Sequence, residues 1–192
     1  MSLIRAFIAV ELPAELKKEL AALETQFKKN SPPVIKWIEP GSIHITLKFL
    51  GDTSDTIIGE LMLAMEESVR GVSPFKLDVS QLGAFPDVDR PQVIWAGVTG
   101  EMDILVQLRN NLENNTEKLG FKREFRAFSP HLTLGRVRDS ARPNDIQKIG
   151  ELINKTTFTA LHNISVNQIN LMKSVLTPTG AIHTCIGSTK LK

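Results

Sequence analysis

Apolar positions along the chain keep two spacings, and the spacing changes at clusters of Pro, Gly, Ser and Asn. Residues 3–12 alternate loosely, with Phe7, Ile8 and Val10, which predicts a buried strand. Pro13 then stands where a helix can open, since its missing N–H costs nothing there. Leu16, Leu20, Leu23 and Phe27 make one apolar stripe on a Lys/Glu-rich helix that ends at Asn30-Ser31-Pro32-Pro33. A short strand over 34–38, a turn at Pro40-Gly41 and a strand over 43–50 follow. Gly51-Asp52-Thr53-Ser54 reads as a turn into a helix over 55–70, with Ile58, Leu61, Met65 and Val69 on one face. Phe75, Leu77 and Val79 then alternate in a strand over 75–82.

Residues 83–91 are loop-like, and after them the order of elements starts again. A strand is predicted over 93–98 and a helix over 102–119, with Ile104, Leu105, Leu108 and Leu112 as its stripe and Gly120 as its cap. Residues 121–128 read as extended, Ser129-Pro130 as a turn and 131–137 as a strand. A helix over 143–153 carries Ile146, Ile149 and Ile153. Closing strands over 158–171 and 181–186 are separated by a turn at Thr177-Pro178-Thr179-Gly180. Both halves thus read strand, helix, strand, Pro-containing turn, strand, helix, strand, which is an internal duplication. The expected fold class is α+β: two pseudo-symmetric lobes, each an antiparallel sheet with two helices, around a central cleft. We take residues 1–192 as one bilobal domain, with halves at roughly 1–83 and 92–188.

Composition narrows this only slightly. A length of 192 residues supports a sizeable core, and 42% hydrophobic with 23% charged residues is ordinary for a globular chain. The net charge of +2 gives no global attraction to nucleic acid, so an anion site must be built from a few local cations. Cys185, the one cysteine, excludes an internal disulfide and suits a reducing compartment. The apolar opening stretch is too short to span a bilayer, carries Arg5 and Glu11, and runs straight into the first helix. The expectation is a cytoplasmic monomer with no membrane association.

The chemistry concentrates in one repeated pattern. His44-Ile45-Thr46-Leu47 and His131-Leu132-Thr133-Leu134 share the frame His-x-Thr-Leu, in matching places of the two halves. Strand alternation puts His44, Thr46 and Lys48 on one face, and Ile43, Ile45, Leu47 and Phe49 on the other, toward a core. His131 and Thr133 share a face in the same way. Two imidazoles across a cleft can act as acid and base on a phosphodiester, and the threonine hydroxyls can donate to its non-bridging oxygens. Lys48, Arg126 and Arg136 are the nearby cations. Strict alternation turns Arg136 away from His131 unless a bulge at Gly135 re-aims it. Neither motif holds a carboxylate, which favours acid–base catalysis without a metal, and no cofactor is expected.

HITLKFLG and SPHLTLGRV resemble the paired signatures of the 2H phosphoesterase superfamily. The closer likeness is to its RNA 2′,3′-cyclic phosphodiesterase branch, also called the 2′–5′ RNA ligase family. RAFIAVELP, VIKWIEP, LGAFPDVDRPQVIWAGV and SVLTPTGAIHT resemble further blocks of that family, so the likeness runs almost the whole length. It implies a bilobal fold and hydrolysis of a terminal 2′,3′-cyclic phosphate on RNA to a 2′-phosphomonoester, with reversible 2′–5′ ligation. It also implies His44 as proton donor and His131 as proton acceptor, although the residues alone identify the pair without dividing the roles. The expected partners are RNA ends carrying the cyclic phosphate, or small cyclic or 2′–5′-linked nucleotides. One departure is visible: His183 stands where the family often has tyrosine, and the chain contains none. Should that residue stack on a base, substrate preference would differ.

Plainer readings stand beside these. A single strand histidine is usually structural, threonines favour strands, and charged side chains are usually solvated. Phe7, Phe49, Trp37 and Trp95 fit a core better than base-stacking platforms. His162 and His183 lack the motif and are not assigned to catalysis. Cys185 reads as a small buried apolar residue. A third function, a nucleotide- or RNA-binding module without turnover, would need no two titrating groups.

Overall fold

In the computed structural model, which describes residues 2–177 and 180–192, these spacings become nine strands and four α-helices. The first half contains β1 (Leu3–Glu11), α1 (Ala14–Asn30), β2 (Ile35–Trp37), β3 (His44–Ser54), α2 (Ile58–Ser68) and β4 (Phe75–Phe85). The second contains β5 (Val93–Gly100), α3 (Met102–Glu117), β6 (His131–Val137), α4 (Pro143–Lys155), β7 (Ile164–Val166), β8 (Gln168–Leu176) and β9 (Ala181–Lys190). Single 3-10 turns, Pro40–Ser42 and Asp55–Ile57, lead into β3 and α2. Every paired strand is antiparallel.

The strands form two sheets, ordered β3-β1-β8-β9 and β2-β6-β5-β4-β7. In each sheet the motif strand pairs with the strand that opens its own half: β3 with β1, and β6 with β5. The next neighbour comes from the opposite half, β8 beside β1 and β4 beside β5. Helices cross over as well. α3 follows β5 yet lies against β3, while α1 packs Phe27 edge-on to Trp37 of β2, with ring centroids 5.8 Å apart. One continuous core, from Ile8 and Leu20 through Leu108 to Leu132 and Ile169, therefore runs beneath both lobes. No helix among the described residues is long and apolar enough to cross a membrane.

Several element boundaries depart from the predicted ones, each for a reason of pairing. Gly51 to Ser54 does not turn but continues β3, because β1 supplies partners from Ala6 back to Leu3. Gly83, Ala84 and Phe85 extend β4 against β5 in the same way. The single strand predicted over 158–171 is broken at Asn167: β7 pairs with β4 in the second sheet, and β8 pairs with β1 in the first. Local apolar pattern cannot reveal such a change of sheet. Residues 121–128 form no strand; side chains rather than a neighbouring strand satisfy that backbone, as shown below. Pro178 and Thr179 of the predicted turn lie outside the described residues, whereas Thr177 and Gly180 exchange backbone hydrogen bonds of 2.8 and 3.1 Å. Cys185 is exposed rather than buried, because β9 is an edge strand and its outward face is uncovered.

Glu24 interrupts the apolar stripe of α1. It is 1% exposed, Lys28 Nζ lies 3.4 Å from its Oε2, and Oε1 has no hydrogen-bond partner among the described residues. Burial raises its pKa to about 7, against the smaller opposing pull of Lys28. A carboxyl raised on folding stabilises fully below its unfolded pKa and loses that contribution as pH rises through the folded value. Glu24→Gln should therefore match the parent near pH 4 and exceed it at pH 8 by about 3 kcal/mol. Denaturant unfolding at the two pH values measures this; equal differences at both would refute the assignment.

Candidate active site

The two motif strands meet where the sheets abut, and a cavity of about 1030 Å³ opens between them. His44, Thr46, His131 and Thr133 all line it, with Arg126 and Arg136. These six residues, singled out from the sequence together with Lys48, thus share one concavity. Further lining comes from Phe7, Phe49, Phe85, Arg109 and His183.

Each imidazole is held by the same device. His44 Nδ1 donates to the carbonyl of Ser42 at 2.7 Å, and His131 Nδ1 donates to the carbonyl of Ser129 at 2.7 Å. A carbonyl can only accept, so Nδ1 carries the proton in both neutral rings and Nε2 is the atom left for a ligand. An aromatic ring fixes each imidazole from the side. Phe7 stacks on His44 at 4.7 Å and 28°, and Phe85 meets His131 edge-on at 4.9 Å and 80°. Phe7 is accordingly both buried and part of the site. Phe85 was not anticipated, since its stretch reads as a loop. The serines could have been found: both motifs are Ser-x-His-x-Thr-Leu. Thr46 and Thr133 lie opposite Ala9 and Trp95, and their hydroxyls have no protein partner among the described residues.

Beyond each threonine the strand alternation breaks. Ile8 faces Lys48 while Ala9 faces Thr46, so Leu47 is left over as a bulge. Ile94 faces Gly135 while Trp95 faces Thr133, which leaves Leu134 over in the same position of the second motif. Two expectations about β3 are corrected by this. Lys48 turns away from His44 and is 3% exposed, whereas Phe49 turns out toward the cavity and is 73% exposed. In β6 the bulge falls one residue before the expected glycine and brings Arg136 onto the face of His131 and Thr133. Leu47 and Leu134 are buried, and their anchoring in the core gives each bulge a fixed place.

Lys48 instead serves the scaffold. Its Nζ lies 2.5 Å from Glu113 Oε2 of α3 and donates to the Lys122 carbonyl at 2.6 Å. Glu113 also accepts the backbone N–H of Glu124 at 3.2 Å, and Arg109 donates to the Glu124 carbonyl at 3.0 Å. Arg109 further lies over the Phe128 ring at 5.2 Å. This buried network clamps the segment that ends at Ser129, whose carbonyl holds His131. Arg126, on the same segment, is 90% exposed and 3.4 Å from Glu124 Oε1 at the cavity mouth. His162 lies elsewhere, tied to Glu19 of α1.

His183 brings a third imidazole into the cavity. It stands edge-on to His44, with centroids 5.2 Å apart and planes at 89°, and its Nδ1 is buried without a partner among the described residues. Burial pushes the His44 pKa down to about 4; the Ser42 carbonyl opposes this, and the charges of His183 and Lys17 add to it. Burial lowers His183 as well. In the free protein at neutral pH, His44 is therefore an uncharged ring.

Fold and cavity together are those of a two-lobed phosphoesterase. The chain belongs to the family of LigT-like phosphoesterases, which it matches twice, over residues 10–95 and 98–183. It is 32% identical over 181 residues to the RNA 2′,3′-cyclic phosphodiesterase of Methanothermobacter thermautotrophicus, covering 94% of this chain and 95% of that one. With the enzyme of the same name from Methanocaldococcus jannaschii it shares 33% over 183 residues, covering 95% and 98%. Among solved structures, Escherichia coli LigT complexed with 3′-AMP superposes with a TM-score of 0.76 at 23% identity, over 99% of both chains. Other structures of that protein hold NADP+, ATP or phosphate.

Two outcomes test the site as described. Ring-proton titration by NMR should place the His44 midpoint near pH 4 in the free protein. Inorganic phosphate should move it upward, because an adjacent anion favours the imidazolium; a midpoint near the ordinary histidine value that ignores phosphate would contradict this environment. Lys48→Met should cost about 3 kcal/mol in urea unfolding, since it leaves the Glu113 carboxylate buried without its closest cation, held by Arg109 and the Glu124 N–H.

Proposed function

We propose that the protein hydrolyses a terminal 2′,3′-cyclic phosphate on RNA to a 2′-phosphomonoester, by metal-independent catalysis with His131 as base and His44 as acid. His131 Nε2 takes a proton from water as the water oxygen bonds to phosphorus. The bond from phosphorus to the 3′ oxygen breaks, and His44 Nε2 delivers its proton to that oxygen. Thr46 and Thr133 donate to the non-bridging oxygens, with Arg126 compensating charge there and Arg136 binding substrate alongside. The observation that carries this reading is that both imidazoles line one cavity, each with Nδ1 tied to the carbonyl two residues back. The relatives that match along nearly the whole chain bear the name of this activity.

The low pKa of His44 fits the donor role once substrate is considered. A ring that is neutral in the free protein takes up its proton when an anionic phosphate arrives, so the acid is loaded only in the complex. By microscopic reversibility the same groups can run the step backwards, with a 5′-hydroxyl replacing water, which would join RNA ends through a 2′–5′ bond. A second reading keeps the chemistry and takes small nucleotides as substrates; the nucleotide complexes of Escherichia coli LigT favour it.

Turnover of RNA ending in a 2′,3′-cyclic phosphate, assayed with a chelator present, should leave a 2′-phosphate. The rate should follow a bell-shaped pH profile, and His44→Ala or His131→Ala should each lower it by about 10²–10⁴-fold. Persistence of full turnover in either variant would remove the two-histidine mechanism.

A further inference from the structure

The bulge at Leu134 has a second result on the open side of the site. In the pairing of β2 with β6, Arg136 lies directly opposite Lys36. Ile35 and Trp37, on either side of Lys36, turn to the core and to Phe27, so Lys36 shares the face that carries Arg136, Thr133 and His131. Two cations thus stand side by side on adjacent strands, both exposed. Like charges in this arrangement repel and destabilise a sheet. Neither has a hydrogen-bond or ion-pair partner among the described residues.

We propose that Lys36 and Arg136 form a second phosphate subsite that holds the phosphodiester on the 5′ side of the terminal nucleotide, which makes an RNA strand the substrate. This deepens the function proposed above and rests on it. Spacing supports the assignment. Thr133 lies opposite Trp95 and Arg136 opposite Val93, two residues apart on β5. Two strand residues span about 7 Å, comparable with the separation of successive phosphates along a nucleic acid strand. A phosphate between the two cations turns their repulsion into a paired attraction. β2 is the outer strand of its sheet, so nothing in the sheet beyond Lys36 blocks a strand running outward. A nucleoside 2′,3′-cyclic monophosphate has no second phosphate and cannot use the subsite.

Lys36→Ala and Lys36→Glu should be compared on a short RNA ending in 2′,3′-cyclic phosphate and on a nucleoside 2′,3′-cyclic monophosphate. Lys36→Ala should lower kcat/KM about tenfold on the RNA and leave the mononucleotide within about twofold, with a larger loss for the charge reversal and recovery in Lys36→Arg. The slope of log kcat/KM on the RNA against log salt should fall by about 0.7, one phosphate contact on a single strand. Equal losses on both substrates, or none on either, overturn the subsite. The same comparison by fluorescence anisotropy, with RNA ending in a 2′-phosphate bound to the His44→Ala protein, needs no turnover. Failure of the catalytic reading therefore shows in the histidine variants, and failure of the subsite in the ratio of RNA to mononucleotide binding.

Discussion

A hydrogen bond made twice organises this molecule: an imidazole Nδ1–H donating to the carbonyl two residues earlier in its own chain. It selects one tautomer and leaves one nitrogen of each ring for chemistry. A histidine free to rotate would offer either nitrogen at many angles, and proton transfer depends on one. Much of the surrounding structure keeps these two bonds in place. Phe7 and Phe85 block ring rotation from the side. The 3-10 turn at Pro40–Ser42 presents the first carbonyl, and the Lys48–Glu113–Arg109 network fixes the segment that presents the second.

That network also links the two halves. Lys48 lies on the strand of His44, while Glu113 and Arg109 lie on the helix that precedes His131 in the chain. The ion pair is buried at both ends, at 2% and 1% side-chain exposure, so a shift of either motif strand would strip a charge of its partner in a region shielded from solvent. Strand exchange adds to this coupling. With β8 in the first sheet and β4 in the second, neither half of the chain can separate from the other without losing a ladder of backbone hydrogen bonds. The two imidazoles lie in different sheets, so their relative position is held by the buried Lys48–Glu113 pair and the shared core.

The paired bulges distinguish the lobes chemically while keeping them alike in form. At the residue five places after each histidine, one lobe presents the Phe49 ring and the other the Arg136 guanidinium. One wall of the cavity is thus aromatic, with Phe7, His183 and Phe49, and the other is cationic. A ligand with a flat base and a charged backbone has a preferred way round in such a cavity.

Element types and the two His-x-Thr-Leu frames were legible because they rest on local periodicity: α1 keeps its stripe at Leu16, Leu20, Leu23 and Phe27, and both motifs fall on strands. Facing was legible only as far as the alternation held. It held for His44 with Thr46 and for His131 with Thr133, and failed one residue later, at a bulge that the pairing partner decides rather than the strand itself. Lys48 and Phe49 exchange sides for that reason, and no pattern within HITLKF reveals it. Which strands become neighbours, the crossing at Asn167, the approach of His183 to His44 and the opposition of Lys36 and Arg136 all depend on residues remote in the chain. The sequence by itself thus determined which local elements form and which side chains carry the chemistry, through short-range spacing and residue type. Only the tertiary structure decided what those side chains face, because register and burial are settled by contact with distant segments.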